Sequence, residues 1–133
     1  MNLDEAFYTK VTAALTATIG TRCYPKFVPQ TGDYPCVVYE TNVEQRGRSF
    51  AGTNGLNRAI ITVGCYSTTD ALAHTLGAAF VTAIKNQSRT TWGTVKIARA
   101  HVEDDLDELD QIVGNDGLLK FGVIYSVAVW YVE

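Results

Sequence analysis

A chain of 133 residues, 47% hydrophobic and 19% charged, is sized for one domain, since a chain near this length buries roughly two-thirds of its unfolded surface. Its formal net charge of -3 excludes the strongly basic balance usual in nucleic-acid binders, and no apolar run is long enough to span a bilayer. The start Met1-Asn2-Leu3-Asp4-Glu5 lacks the basic opening and apolar stretch of a secretion signal. Cys23, Cys36 and Cys65 are odd in number and form no C-x-x-C pair, which predicts free thiols made in a reducing cytosol.

In chain order, Leu3, Phe7, Val11, Leu15 and Ile19 recur every fourth residue, which predicts a helix over 3–19 with Asp4 and Glu5 at its N-terminal end and Gly20 as its stop. Its threonines weaken intrinsic propensity, so packing of the apolar stripe must hold it. Arg22-Cys23-Tyr24 reads as a short extended piece. Pro25, Pro29, Gly32 and Pro35 mark an irregular connection. Cys36 to Val43 has the residues of a strand. The segment 44–57 is rich in Gly, Ser, Asn and Arg, and a connection of that length is usually functional or mobile.

The best-defined unit follows. Arg58 to Tyr66 is dense in β-formers, with Ile61, Val63 and Cys65 on one face at period two. Ser67-Thr68-Thr69-Asp70 offers N-cap hydroxyls and an early acid. Leu72, Leu76, Ala79, Phe80, Ala83 and Ile84 then form one helical stripe in which Gly77 is the weak position. Asn86 to Arg89 reads as polar punctuation, and Val95 to Val102 as a strand. An acidic run comes next: Glu103, Asp104, Asp105, Asp107, Glu108 and Asp110. Asn115-Asp116-Gly117 signals a turn. The last strand, Leu118 to Val132, carries Phe121, Val123, Tyr125, Val127, Val129 and Tyr131 on one face. Lys120, Gly122, Ile124, Ser126, Ala128 and Trp130 lie on the other, which predicts a central strand. The expected fold is one α+β domain over 1–133, with a mostly antiparallel sheet of four to five strands and two helices packed on one face.

No catalytic or cofactor-binding constellation stands out. His74 lies near the helix stripe and is read as its edge rather than as a base. His101 beside Glu103, Asp104 and Asp105 has oxygen and imidazole groups close in sequence, but lacks the glycine spacing of a calcium loop and any i, i+4 histidine pair; it reads as a solvated acidic loop. Gly52-Thr53-Asn54-Gly55 has neither the lysine nor the following helix of a phosphate cradle. Arg46, Arg48 and Phe50 are too few for a convincing single-strand nucleic-acid contact and read as a protein-contacting or solvated loop.

Three stretches in order resemble the small tail-completion proteins (tail-terminator, or tail-to-head joining) of long-tailed bacteriophages. These are Gly20-Thr21-Arg22-Cys23-Tyr24-Pro25 leading to Tyr34-Pro35-Cys36-Val37-Val38-Tyr39; Arg58 to Val63 with Cys65-Tyr66-Ser67-Thr68-Thr69-Asp70-Ala71-Leu72-Ala73; and Gly117-Leu118-Leu119-Lys120 continuing to Val127-Ala128-Val129-Trp130-Tyr131. Gly64, where an acid or polar residue is expected, and Lys120, where arginine is more usual, depart from the pattern. The resemblance implies a virion protein made in the host cytoplasm, without cofactor or catalysis. It would form a homo-oligomeric ring, a hexamer, that caps the tail tube and meets the head–tail connector (stopper), with DNA passing through and no membrane involved.

Arg46, Arg48, Phe50 and Asn54 are candidate subunit or partner contacts. A bore that lets DNA pass should not be basic, so some of Glu103 to Asp110 is expected to face the channel or the connector. The rival readings are another connector component (stopper or adaptor), a small intracellular binding domain, and an enzyme built on an exposed, low-pKa Cys36 or Cys65 beside a histidine.

Overall fold

The computed structural model describes residues 2–26, 34–45, 56–85, 87–103, 108–113 and 118–132, with 43–45 and 108–113 described as backbone. The elements are α1 (Leu3–Ala14), α2 (Thr16–Ile19), β1 (Cys23–Pro25), β2 (Cys36–Gln45), β3 (Asn57–Ser67), α3 (Asp70–Ile84), β4 (Gln87–Trp92), β5 (Val95–Val102), β6 (Glu108–Val113) and β7 (Leu119–Val132).

The expected first helix divides at Leu15, whose ψ of 22° leaves the helical range, and Gly20 at φ +58° closes the short second piece. Asn2 caps α1: its side chain accepts from the Glu5 amide at 2.9 Å, and the Glu5 carboxylate accepts from the Asn2 amide at 3.2 Å. The threonine hydroxyls turn back onto carbonyls four residues earlier, as Thr9 does to Glu5 and Thr12 to Tyr8, so they are satisfied within the helix. Thr69 caps α3 by accepting from the Leu72 amide. The buried stripe of α3 is Ala73, Leu76, Gly77, Phe80 and Ile84. Leu72, expected in that stripe, is instead 52% exposed, because it lies one residue off this face in the first turn.

Among the described residues the sheet has seven strands rather than four to five, and it is mixed. Its order is β1-β2-β3-β7-β5-β4, with β6 also paired to β7. β1 runs parallel to β2, and every other pairing is antiparallel. Two strands escape the sequence reading. β4 lies where polar punctuation was expected: it is an edge strand, polar except at Trp92, joined to β5 through Gly93 (φ +58°) and Thr94. β6 begins within the acidic run at Glu108 and continues past it to Val113. Val102 of β5 pairs with Val127, the Glu103 amide donates to the Ser126 carbonyl, and Glu108 of β6 pairs with Ile124. Thus β5 and β6 follow one edge of β7 in succession, and β3 takes the other.

The helices cover one face. α3 lies against β3 and β7, while α1 touches α3, β1 and β4. Phe7 of α1 has its ring centroid 5.0 Å from Tyr39, 6.2 Å from Phe80 and 6.2 Å from Trp92. Those partners stand on β2, α3 and β4, so one phenyl group touches strands from both halves of the sheet. The sheet therefore curls around the helices, leaving its other face convex and, among the described residues, without helices.

Candidate functional site

The convex face takes its side chains from the even positions of β7 and their cross-strand partners. Near its middle Tyr66 lies over two glycines. A Cβ at Gly64 would stand 2.5 Å from the Tyr66 Cε2, and one at Gly122 would also run into that ring. Gly64, noted as a departure in the sequence, is thus explained by close approach of an aromatic ring. Beside it a depression of about 130 Å³ is lined by Val38, Glu40, Thr62, Tyr66 and Ile124, among others, room for one partner side chain.

Toward the end where β7 finishes, three neighbouring strands set Arg58, Trp130 and Arg99 in a row, since Trp130 pairs with both arginines in the ladder. The Arg58 guanidinium is 5.2 Å and the Arg99 guanidinium 5.9 Å from the Trp130 ring centroid. His101 stacks on the same indole at 5.6 Å and 14°. Arg58 also makes a 3.2 Å ion pair with Glu103, while Arg99 has no hydrogen bond or ion pair among the described residues. At the other end of the same face Lys120, buried, sets its ammonium 5.1 Å from the Tyr34 ring centroid.

This geometry relocates several sequence candidates. His101, weighed as a metal ligand, is an aromatic partner of Trp130. Among the described residues no cluster of His, Cys, Asp and Glu suits a metal ion. His74 forms a helix-surface pair with Asp70 at 3.4 Å. Glu103 is exposed and tied to Arg58. Glu108 and Asp110 belong to β6, a strand rather than a loop. Asp104, Asp105 and Asp107, and the loop candidates Arg46, Arg48, Phe50 and Asn54, lie outside the described residues. The Arg–Trp–Arg row was not anticipated. The signal was present in the alternation of β3, β5 and β7, but the register that aligns them is a long-range pairing.

The cysteines are poor nucleophiles. All are buried, and burial pushes the Cys23 and Cys36 thiols up from 9.0 to about 12 and raises Cys65 further. This is the reverse of the low-pKa thiol that the enzyme reading required.

The exposed large apolar side chains of the described residues sit at the two ends of the sheet. Leu56 precedes β3 where β2 ends and β7 finishes. Leu72, Leu118 and Leu119 lie at the opposite end, where β3 ends, α3 begins and β7 starts. No helix among the described residues is long and apolar enough to cross a membrane.

Among curated protein sequences none matches this chain. A chain of the virion of a native gene transfer agent (GTA) particle has the same fold, with a TM-score of 0.59 and 16% identity over 96% of this chain and 94% of that one. The sequence family described as Tail completion protein gp17 matches residues 9–115. That match spans most of the sequence and both halves of the sheet, so this chain belongs to the tail completion protein gp17 family and is a structural protein of the phage virion.

Proposed function

We propose that the protein closes into a homo-oligomeric ring, a hexamer, that caps the finished tail tube and joins it to the connector of the head. The observation that carries this reading, beside family membership, is the placement of the exposed leucines: Leu56 at one end of the sheet and Leu72, Leu118 and Leu119 at the other. A protein joining a tube to a connector needs two opposed contact ends, and exposed apolar groups are costly unless a partner covers them. Arg46, Arg48, Phe50 and Asn54, which lie between β2 and β3 in the sequence, are assigned to subunit or partner contacts. Part of the acidic run from Glu103 to Asp110 faces the DNA channel or the connector, where it keeps phosphates from being held.

Electron microscopy of a lysate from a phage with this gene disrupted tests the reading. Filled heads beside unattached, ragged or overlong tails are expected. Unattached tails of correct length would assign the protein to the head side of the connector instead. Normally joined particles would overturn the proposal.

A further inference from the structure

The corner of the sheet where β7 finishes is cationic, on a chain whose formal net charge is -3. Arg58 of β3, Arg89 of β4, and Lys96 and Arg99 of β5 lie on neighbouring strand segments there, and Glu103 is the one acid beside them among the described residues. Glu103 takes up Arg58 at 3.2 Å. Arg99 is exposed and has no carboxylate within ion-pair distance among the described residues. Both guanidinium groups are held against the Trp130 ring, at 5.2 and 5.9 Å, so less freedom is lost when their donors meet a carboxylate. Leu56, two residues before Arg58, is 48% exposed. Tryptophan and arginine are the side chains in which binding energy concentrates at protein interfaces. We infer that this corner, Leu56 with the Arg58–Trp130–Arg99 row, docks an acidic surface of a protein other than this chain. The inference rests on the joining reading above and names the chemistry of the partner at the Leu56 end.

Charge complementarity selects this occupant. A second copy offers little to match the row. Of the carboxylates whose side chains are described, Glu5 caps α1, Asp70 pairs with His74 and Glu103 pairs with Arg58, which leaves Asp4 and Glu40 on two separate elements. Nucleic acid fits less well. The row crosses three adjacent strands, about 10 Å, which suits one or two carboxylates but not the run of phosphate contacts that gives duplex binding its strength. Arg58, Arg99 and His101 already crowd the Trp130 ring, so it is not a platform for base stacking.

The test mixes tails and filled heads from a lysate lacking this protein with purified full-length protein, and counts joined particles by electron microscopy. Arg99→Glu should lower joining by about tenfold, the scale of one lost charge-assisted contact, with an unchanged melting curve because Arg99 is exposed. The gap from the wild type should narrow as salt is raised, which a merely structural defect would not do. In a second arm, Arg99→Cys carrying a maleimide–benzophenone is irradiated in joined particles; the native thiols are buried and remain silent. The expected adduct is with a different virion protein, on a peptide bearing aspartate or glutamate.

Arg99→Glu protein that joins particles at the wild-type level would overturn the inference. So would a shifted melting curve, which would mean that Arg99 answers a carboxylate of its own chain. Adducts only with a second copy would reassign the row to the subunit contact, and adducts only with DNA would reassign it to nucleic acid. Wild-type protein that fails to join heads and tails would defeat the joining reading, and this inference with it.

Discussion

Replacing Gly77 by alanine sets two effects of opposite sign against each other. Position 77 is inside α3, where alanine is favoured over glycine by about 1 kcal/mol. The helix, however, lies so close to β7 that a Cβ there would stand 2.5 Å from the Tyr125 hydroxyl oxygen and 3.1 to 3.2 Å from two of its ring carbons. Tyr125 is 5% exposed and its ring packs 6.0 Å from Phe80, so it has little room to retreat. Overpacking of this kind costs about 1–3 kcal/mol. The net expectation is a loss of about 0–2 kcal/mol, where propensity alone predicts a gain. Tyr125→Phe removes the atom at 2.5 Å and leaves contacts that a small shift absorbs. Urea unfolding of both single variants and the double variant measures the coupling, with an unchanged m-value as the check on two-state behaviour. In the Tyr125→Phe background Gly77→Ala should cost at least about 1 kcal/mol less than in the wild type. A stabilisation of about 1 kcal/mol in both backgrounds would refute the claim that contact with β7, and not chance, puts glycine in this helix.

Phe7→Ala should cost about 3–5 kcal/mol, since it removes a fully buried ring that touches Tyr39, Phe80 and Trp92, and thermal or denaturant unfolding will measure it. Gly122→Ala should displace the Tyr66 ring, destabilising by about 1–3 kcal/mol and altering near-ultraviolet dichroism, whereas the melting curve should move little for Glu103→Gln, whose partly exposed ion pair is worth less than about 1 kcal/mol. Alkaline pH should destabilise the fold. The thiols of Cys23 and Cys36 keep their protons to about 12 when folded but lose them above the ordinary value of 9.0 when unfolded. Their contribution is whole below that value and falls as pH rises toward the folded one, by up to about 1.4 kcal/mol per pH unit for each thiol. Urea midpoints on either side of pH 9 test this, with Cys→Ser variants expected to flatten the slope.

The strands legible in the sequence were those whose apolar alternation is strong: Cys36 onward, Arg58 to Tyr66, Val95 to Val102 and the closing strand all stand within a residue or two of the observed elements. The missed strands failed for a common reason. Gln87–Trp92 buries only Trp92 on a free edge, and Glu108–Val113 mixes acids with apolar residues. Neither has strong apolar alternation in sequence, and pairing with a neighbouring strand makes each of them extended. Leu72 fails in the other direction. A leucine at the start of an amphipathic helix satisfies the stripe by spacing alone, yet the face was set by Gly77, whose missing side chain lets α3 approach β7 and thereby decides which residues are covered.

The Arg–Trp–Arg row sharpens that difference. Its members lie at positions 58, 99 and 130, and no local pattern marks them as neighbours. In the sequence Arg58 merely follows the long 44–57 connection, Arg99 interrupts a strand, and Trp130 reads simply as one more apolar residue on the less buried face of β7. They meet because β7 is paired on both sides over its second half, with β3 and with β5, and because a bulge between Ile97 and Arg99 advances β5 so that the guanidinium reaches the indole. Straightening that bulge would shift Arg99 by one position and turn it toward the helices, leaving Ala98 in its place. The row is therefore a product of register. Deleting Ala98 takes out the extra residue and leaves Arg99 opposite Trp130, so the near-ultraviolet dichroism of that indole should survive the deletion, whereas Arg99→Ala should alter it.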